Sequence, residues 1–344
     1  MSRQPIELPD ALQREWDLLA DRLDASPFLR PGWVLAWWRA FGAGRLELLE
    51  CRRSSGLAAL LPIVHRRGAV FSPTNWHTPE FAPLCSDSCA EELIAGLFAR
   101  RWPWIELGWL TAEHPSLQPL EAAAREAGYD LAVQVRERSP TVSLECGWQS
   151  YERSLSGNLR RDLGRRRRRL EERGVVSLEV TDRPSALDEA FTLERLGWKG
   201  RRRSAMESRP QTAAFYREIA YWAAERGWLR LGFLRLDGRP LAFHYALQAG
   251  GAYYALKGGF DPAFSAYSPG SLMIYTTLER AFEEGLHTYE LLGGDDLYKR
   301  RFTTSARVKL VVRAFAPTSL GRLARTMDKY GRPWARAALS AVRR

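Results

Sequence analysis

Between residues 229 and 292 the pattern of apolar residues changes its period twice, and no other stretch restricts the fold as much. Three runs, 229–236, 240–249 and 252–258, read as strands following in quick succession. They are separated by Asp237-Gly238 and Gly250-Gly251, two-residue pairs that favour the positive φ angles of tight hairpins. The spacing therefore predicts an antiparallel meander. A loop over 260–268 then leads to Pro269-Gly270, a helical period runs over 271–284 and stops at Gly285, and residues 288–292 return to a strand pattern.

The rest of the chain repeats this mixture. Residues 11–25 place Leu12, Trp16, Leu19 and Leu23 on one helical face, and Pro31 opens a second helix carrying Trp33, Trp37 and Trp38. Strands are predicted at 46–52, 57–65, 104–108 and 131–138, and helices at 91–101 and 117–127. A long loop crosses 72–83. From Gly147 onward, a long helical region (148–173), a strand (175–180) and two helices (183–197 and 212–226) precede the meander, and a last strand is expected at 308–316. The fold class read from this order is mixed α/β, with two similar domains at 1–146 and 147–317, each a twisted sheet with helices on both faces, and a basic amphipathic tail at 318–344.

Composition is that of a globular chain. Of 344 residues 45% are hydrophobic and 26% charged, which excludes a disordered or collagen-like polymer. The longest apolar run free of charge is 56–64, far short of the roughly 20 residues that span a bilayer. The first residues, MSRQPIELPD, have no apolar core of a secretory leader, so a cytoplasmic protein is expected. Four cysteines (Cys51, Cys85, Cys89 and Cys146) are too few for a disulfide scaffold, and they lack a second ligand pair for zinc; no metal site is expected.

The net charge of +11 is concentrated in two places. Residues 160–173 hold eight arginines against three acids, and residues 318–344 hold six arginines and Lys329 against Asp328. The arginine run is open to three readings: a nucleic-acid surface, a solvated helix face with Glu171 and Glu172 pairing back, or a basic pocket for a phosphorylated ligand. In the tail, Leu320, Leu323, Met327 and Trp334 form an apolar stripe suited to docking on the protein body or on an anionic membrane surface.

The residues that carry chemistry cluster between 252 and 301. A glycine at a helix start leaves first-turn amides aimed at an anion, so Gly270, Ser271 and Leu272 are a candidate seat for a pyrophosphate. His244 alternates with apolar neighbours in its strand, which suits a half-buried histidine or a base. Trp198-Lys199, followed by Arg201-Arg202-Arg203, suits a solvated loop or a contact to an acceptor.

Tyr267-Ser-Pro-Gly270, Gly285 and Glu290-Leu-Leu-Gly-Gly-Asp-Asp-Leu-Tyr-Lys299 together resemble the GNAT acyltransferase superfamily, and within it the branch of CelD-like and BioF2-like acetyltransferase domains related to the FemAB peptidyltransferases. The tryptophan-rich stretch 27–42 and the arginine helix ending in Leu-Glu-Glu-Arg-Gly also resemble that branch, so the similarity covers about residues 20–317. Glu290 stands where the branch has aspartate, and the superfamily's glycine-rich pyrophosphate motif is reduced to Tyr267-Ser-Pro-Gly-Ser271. The resemblance implies two tandem GNAT-like domains and direct acyl transfer to a small-molecule or saccharide amine. Acetyl-CoA or another acyl-CoA is the implied co-substrate; the FemAB relationship leaves aminoacyl-tRNA as the alternative donor, the one case in which nucleic acid is a partner. A non-catalytic scaffold of the same fold is the third possibility. Strand 252–258, including Lys257, would then hold the pantetheine arm, and Tyr267, Ser268, Gly270, Ser271 and Leu272 the pyrophosphate. Glu290 is the implied base and Asp295 the second choice, Tyr298 the proton donor to the leaving thiolate, and Lys299, His244, Trp198 and Lys199 the acceptor contacts.

Overall fold

A computed structural model describes residues 8–85, 87–197 and 205–329. The chain forms two compact units, one made of residues 1–136 and 308–344, the other of residues 137–307.

In the first unit, helices α1 (Asp10–Arg22) and α2 (Pro31–Phe41) precede a hairpin of β1 (Arg45–Arg53) and β2 (Gly56–Arg66). Short strands β3 (Ala69–Phe71) and β4 (Leu84–Cys85) flank β2. Helix α3 (Asp87–Ala99) then carries the chain to β5 (Trp104–Thr111), which lies parallel to β3. A parallel neighbour requires such a crossover, because a tight turn reverses direction. Helix α4 (Leu117–Glu126) follows, then β6 (Asp130–Ser143), which the division between units cuts after residue 136. Proline at the first turn of α2 costs no hydrogen bond, since that N–H would be an orphan. Trp33, Trp37 and Trp38 of this helix are all buried, and the Trp16 indole N–H reaches the carbonyl of Leu29 at 2.9 Å.

The second unit opens with α5 (Trp148–Ser154) and α6 (Gly157–Glu171), where the sequence predicted one helix. Leu155 turns extended, and the Ser156 side chain accepts the N–H of Leu159 as an N-cap, restarting the helix. After β7 (Val176–Thr181), α7 (Leu187–Leu196) and α8 (Pro210–Glu225) comes the predicted meander: β8 (Leu229–Leu236), β9 (Arg239–Ala249) and β10 (Ala252–Phe260), all antiparallel. Both turns take the left-handed angles their sequences favour, with φ of 47° and 80° at Asp237-Gly238 and 55° and 67° at Gly250-Gly251. Helix α9 (Pro269–Glu283) crosses to β11 (Thr288–Glu290), parallel to β10. The two units thus repeat one plan, a hairpin, a further strand and a helix crossing to a parallel strand.

The last strand expected for the second domain, β12 (Ala306–Phe315), pairs with β5 from Lys309↔Thr111 to Phe315↔Trp104, and from residue 308 the chain is counted in the first unit. The division of the chain accordingly falls after residues 136 and 307. Only a long-range pairing decides this, and no local pattern records it. Residues 319–329 continue as a helix in the same unit. Gly321 permits the approach: a Cβ there would lie 2.2 Å from the backbone oxygen of Ala316 and 2.9 Å from that of Pro103. Because backbone yields little, Gly321→Ala should cost about 1–3 kcal/mol of first-unit stability, read as a lowered denaturation midpoint.

Candidate active site

The ladder between β10 and β11 is short. It runs from Ala252↔Thr288 to Tyr254↔Glu290, whereas β9 accompanies β10 as far as Phe260, with a register shift between Ala255 and Lys257. The β11 ladder therefore stops at Tyr254, and β10 runs on to Phe260, after which a turn of 3-10 helix (Pro262–Tyr267) feeds α9. Buried Asp261 fixes this turn, accepting from Ala263 N–H at 3.0 Å and from Arg239 at 2.7 Å.

The start of α9 differs from the expected pyrophosphate seat. Ser268, in the left-handed region at φ 47°, is the residue before the helix, and its carbonyl accepts the N–H of Ser271 at 2.9 Å and of Leu272 at 3.1 Å. Leu272 makes the first ordinary bond of the helix, and Pro269 has no N–H to offer. Of the three expected donors, Ser271 and Leu272 are thus satisfied by the protein itself, and the Gly270 N–H has no hydrogen-bond partner among the described residues.

Cationic side chains of α6 lie against the turn that precedes α9. Arg166 donates to the carbonyl of Ala266 at 2.6 Å, and Arg173 donates to the Tyr267 hydroxyl at 3.1 Å. The guanidinium groups of Arg169 and Arg173 lie 5.6 and 5.8 Å from the centre of the Tyr267 ring. Arg169 and Arg173 are four residues apart, so they stand one above the other on one side of α6 and its continuation. Part of the arginine run is neutralised: Asp162 accepts from Arg165, Arg166 and Arg301, and Glu171 pairs with Arg167. Arg168, Arg169 and Arg173 have no carboxylate partner among the described residues. The arginine run signalled charge, but the ring of Tyr267 is what selects Arg169 and Arg173 from it.

Glu290, at the end of β11, is buried. Its carboxylate accepts from Thr141 at 3.2 Å and from Arg307 at 2.6 Å. Sequence reasoning named neither partner: Thr141 is remote in the chain, and Arg307 follows beyond the intervening turn. The ion pair ties the carboxylate at the end of β11 to the start of β12. Asp295 is paired with Arg300 at 2.6 Å. Lys299 is not open to a substrate anion: it is buried, and its ammonium group donates to the carbonyls of Leu292 at 2.5 Å and Gly294 at 3.1 Å, with Asp296 at 3.4 Å. It holds the turn 292–294, in which Leu292 and Gly293 have φ of 48° and 62°. Lys299→Met should leave both carbonyls without this donor and cost about 2–3 kcal/mol, measurable by urea unfolding.

Tyr298 is the exception in this turn. It is half-exposed, and its hydroxyl has no hydrogen-bond partner among the described residues. Partial burial, reinforced by the Asp296 carboxylate, pushes the phenol up to about 12, so it carries its proton throughout the neutral range. His244 is buried beside the Thr277 hydroxyl and the Tyr289 hydroxyl, at 3.5 and 3.4 Å from Nδ1, away from an open surface. The Lys257 ammonium group lies 5.3 Å from the ring centre of Tyr216 on α8. Trp198 and Lys199 lie outside the described residues.

The first unit holds a separate cavity of about 310 Å³. Trp37, Phe71 and Trp109 supply aromatic walls, and Ser72, Asn75, Glu106, Arg66 and Arg136 supply polar atoms. Such a mixture suits a small polar molecule with a flat or apolar body.

Residues 157–300 match the family described as "Acetyltransferase (GNAT) domain". The match lies within the second unit, and the first unit repeats the same strand-and-crossover plan, which fits two GNAT-like domains. Solved structures share the fold over most of its length. FemX is 13% identical, with 89% of this chain and 96% of that chain covered at a TM-score of 0.63. The carboxy-terminal (DUF2156) domain of a protein described as a lysylphosphatidylglycerol synthetase from Agrobacterium fabrum is 13% identical, with 93% and 96% covered at 0.58. A conserved protein of unknown function from Bacteroides thetaiotaomicron VPI-5482 is 11% identical, with 91% and 98% covered at 0.56. No curated protein sequence matches the chain.

Proposed function

We propose that the second unit transfers an acyl group from a coenzyme A thioester to an amine by direct attack. The observation that carries this reading is the pair Arg169 and Arg173 set on Tyr267, three residues before Gly270, which itself lies against Phe260 at the end of β10. Two guanidinium groups and one helix-start N–H form a receptor for phosphate oxygens. Strand β10 would lie alongside the pantetheine arm. The acceptor nitrogen attacks the thioester carbonyl, the carbon–sulfur bond breaks, and the departing sulfur takes the Tyr298 proton; the amine proton leaves through water. Glu290, tied to Arg307, acts by fixing the strand end and not as the base. Acetyl is the simplest acyl group to test. Incubation with acetyl-CoA and a panel of amino sugars, amino acids and ethanolamine should release free thiol in an acceptor-dependent manner; no release with any acceptor would overturn the reading.

A second reading is favoured by one observation. With Ser271 and Leu272 satisfied internally, phosphate recognition falls to the arginines of α6, and an exposed arginine face accepts an RNA backbone as readily as a coenzyme. Aminoacyl-tRNA is then the donor, a reading to which the shared fold with FemX lends support. Binding of tRNA that weakens steeply with salt, and that is lost when Arg165–Arg169 are replaced by serine, would favour it over coenzyme A.

A further inference from the structure

Helix 319–329 presents its faces in the opposite sense to an ordinary surface helix. The side that meets the first unit carries Gly321, Arg325 and Asp328. Gly321 abuts the backbone of Ala316, Arg325 pairs with Asp130 at 2.7 Å and covers the Phe315 ring at 5.4 Å, and Asp328 lies 3.5 Å from buried Arg313. The residues that alternate with these at helical spacing are Leu320, Leu323 and Met327, and they are 65%, 58% and 65% exposed. Leu320, Leu323 and Met327 of the stripe, for which the sequence left docking on the body or on a membrane open, therefore face away from the body; Trp334 lies outside the described residues.

We propose that this stripe is a docking surface for an anionic lipid bilayer. Three side chains make too small a patch for a stable protein partner, which needs on the order of 1,000 Å² of buried surface. A bilayer asks less, because a short apolar face and a cluster of cations act together. The cations are present: residues 318–344 carry a net +6, with Arg322 on the exposed part of the helix and Arg332 and Arg336 following in sequence. The one acid of this segment, Asp328, is turned toward Arg313 and so does not oppose an anionic surface. No described helix is long and apolar enough to cross a membrane, so the contact is with the surface.

The test is co-sedimentation of the full chain with phosphatidylcholine vesicles containing 30% phosphatidylglycerol, against phosphatidylcholine alone, at low and high salt. Binding to the anionic vesicles should fall at least tenfold with the neutral vesicles, at high salt, and in the triple variant Leu320→Ser/Leu323→Ser/Met327→Ser. Arg332→Glu/Arg336→Glu, which leaves the described helix untouched, should give the same loss and guards against misfolding of the triple variant. Absence of binding to anionic vesicles, or binding unchanged in both variants, would overturn the proposal. So would a dimer in light scattering that the triple variant converts to a monomer, because a second copy would then cover the stripe.

Discussion

Arg313→Met is expected to remove about 3–5 kcal/mol from the stability of the first unit, the largest effect of any substitution considered. Arg313 is 2% exposed on β12, with Glu106 at 2.7 Å, Asp328 at 3.5 Å and the Gln134 amide oxygen at 3.0 Å. Methionine keeps most of the stem volume and removes the charge. Two carboxylates at the sheet then lose their principal cation, and a buried carboxylate without a partner is costly. Arg313→Lys keeps the charge but loses the fork that reaches three acceptors at once, so an intermediate loss is expected. Equilibrium urea unfolding followed by tryptophan fluorescence would measure both, and a loss below about 1 kcal/mol for the methionine variant would show that the cluster contributes little.

The second large effect is on catalysis. Tyr298→Phe should lower kcat by about 10²–10⁴ while leaving KM for the donor and the unfolding midpoint nearly unchanged. Stability is spared because the hydroxyl has no partner among the described residues. Turnover should suffer because the proposed transfer assigns the proton for the departing sulfur to this hydroxyl, which stays protonated throughout the neutral range. Undiminished turnover in this variant would remove Tyr298 from the reaction and leave water to protonate the leaving group.

Much of the fold was legible because it is written in short-range signals. The hairpins at Asp237-Gly238 and Gly250-Gly251, the proline starts of α2 and α9 and the glycine stop at Gly285 are each local choices of backbone angle. The break between α5 and α6 was also local, and Ser156 signals it, but the arginine-rich helical period on either side masked it. The assignment of β12 was not legible, since its partner β5 lies about two hundred residues earlier. The site shows the same division. Sequence brought Glu290, Asp295, Tyr298 and Lys299 into one segment and allowed Lys299 a pair with Asp295 or Asp296, yet it could not show that Arg307 and Arg300 pair with Glu290 and Asp295 or that the turn's carbonyls take the lysine. A helix start suggested bare amides, whereas the left-handed Ser268 aims its carbonyl at two of them.

The proposed transfer requires that Arg169, Arg173 and Gly270 recognise a phosphate-bearing acyl donor. Isothermal titration of the full chain with acetyl-CoA, repeated with Arg169→Ala/Arg173→Ala, tests it most directly. The account predicts saturable binding that the double substitution weakens by roughly 10–100-fold, as expected for the loss of two charge-assisted contacts at a partly exposed site. Absence of binding, or equal affinity in the two proteins, would contradict it.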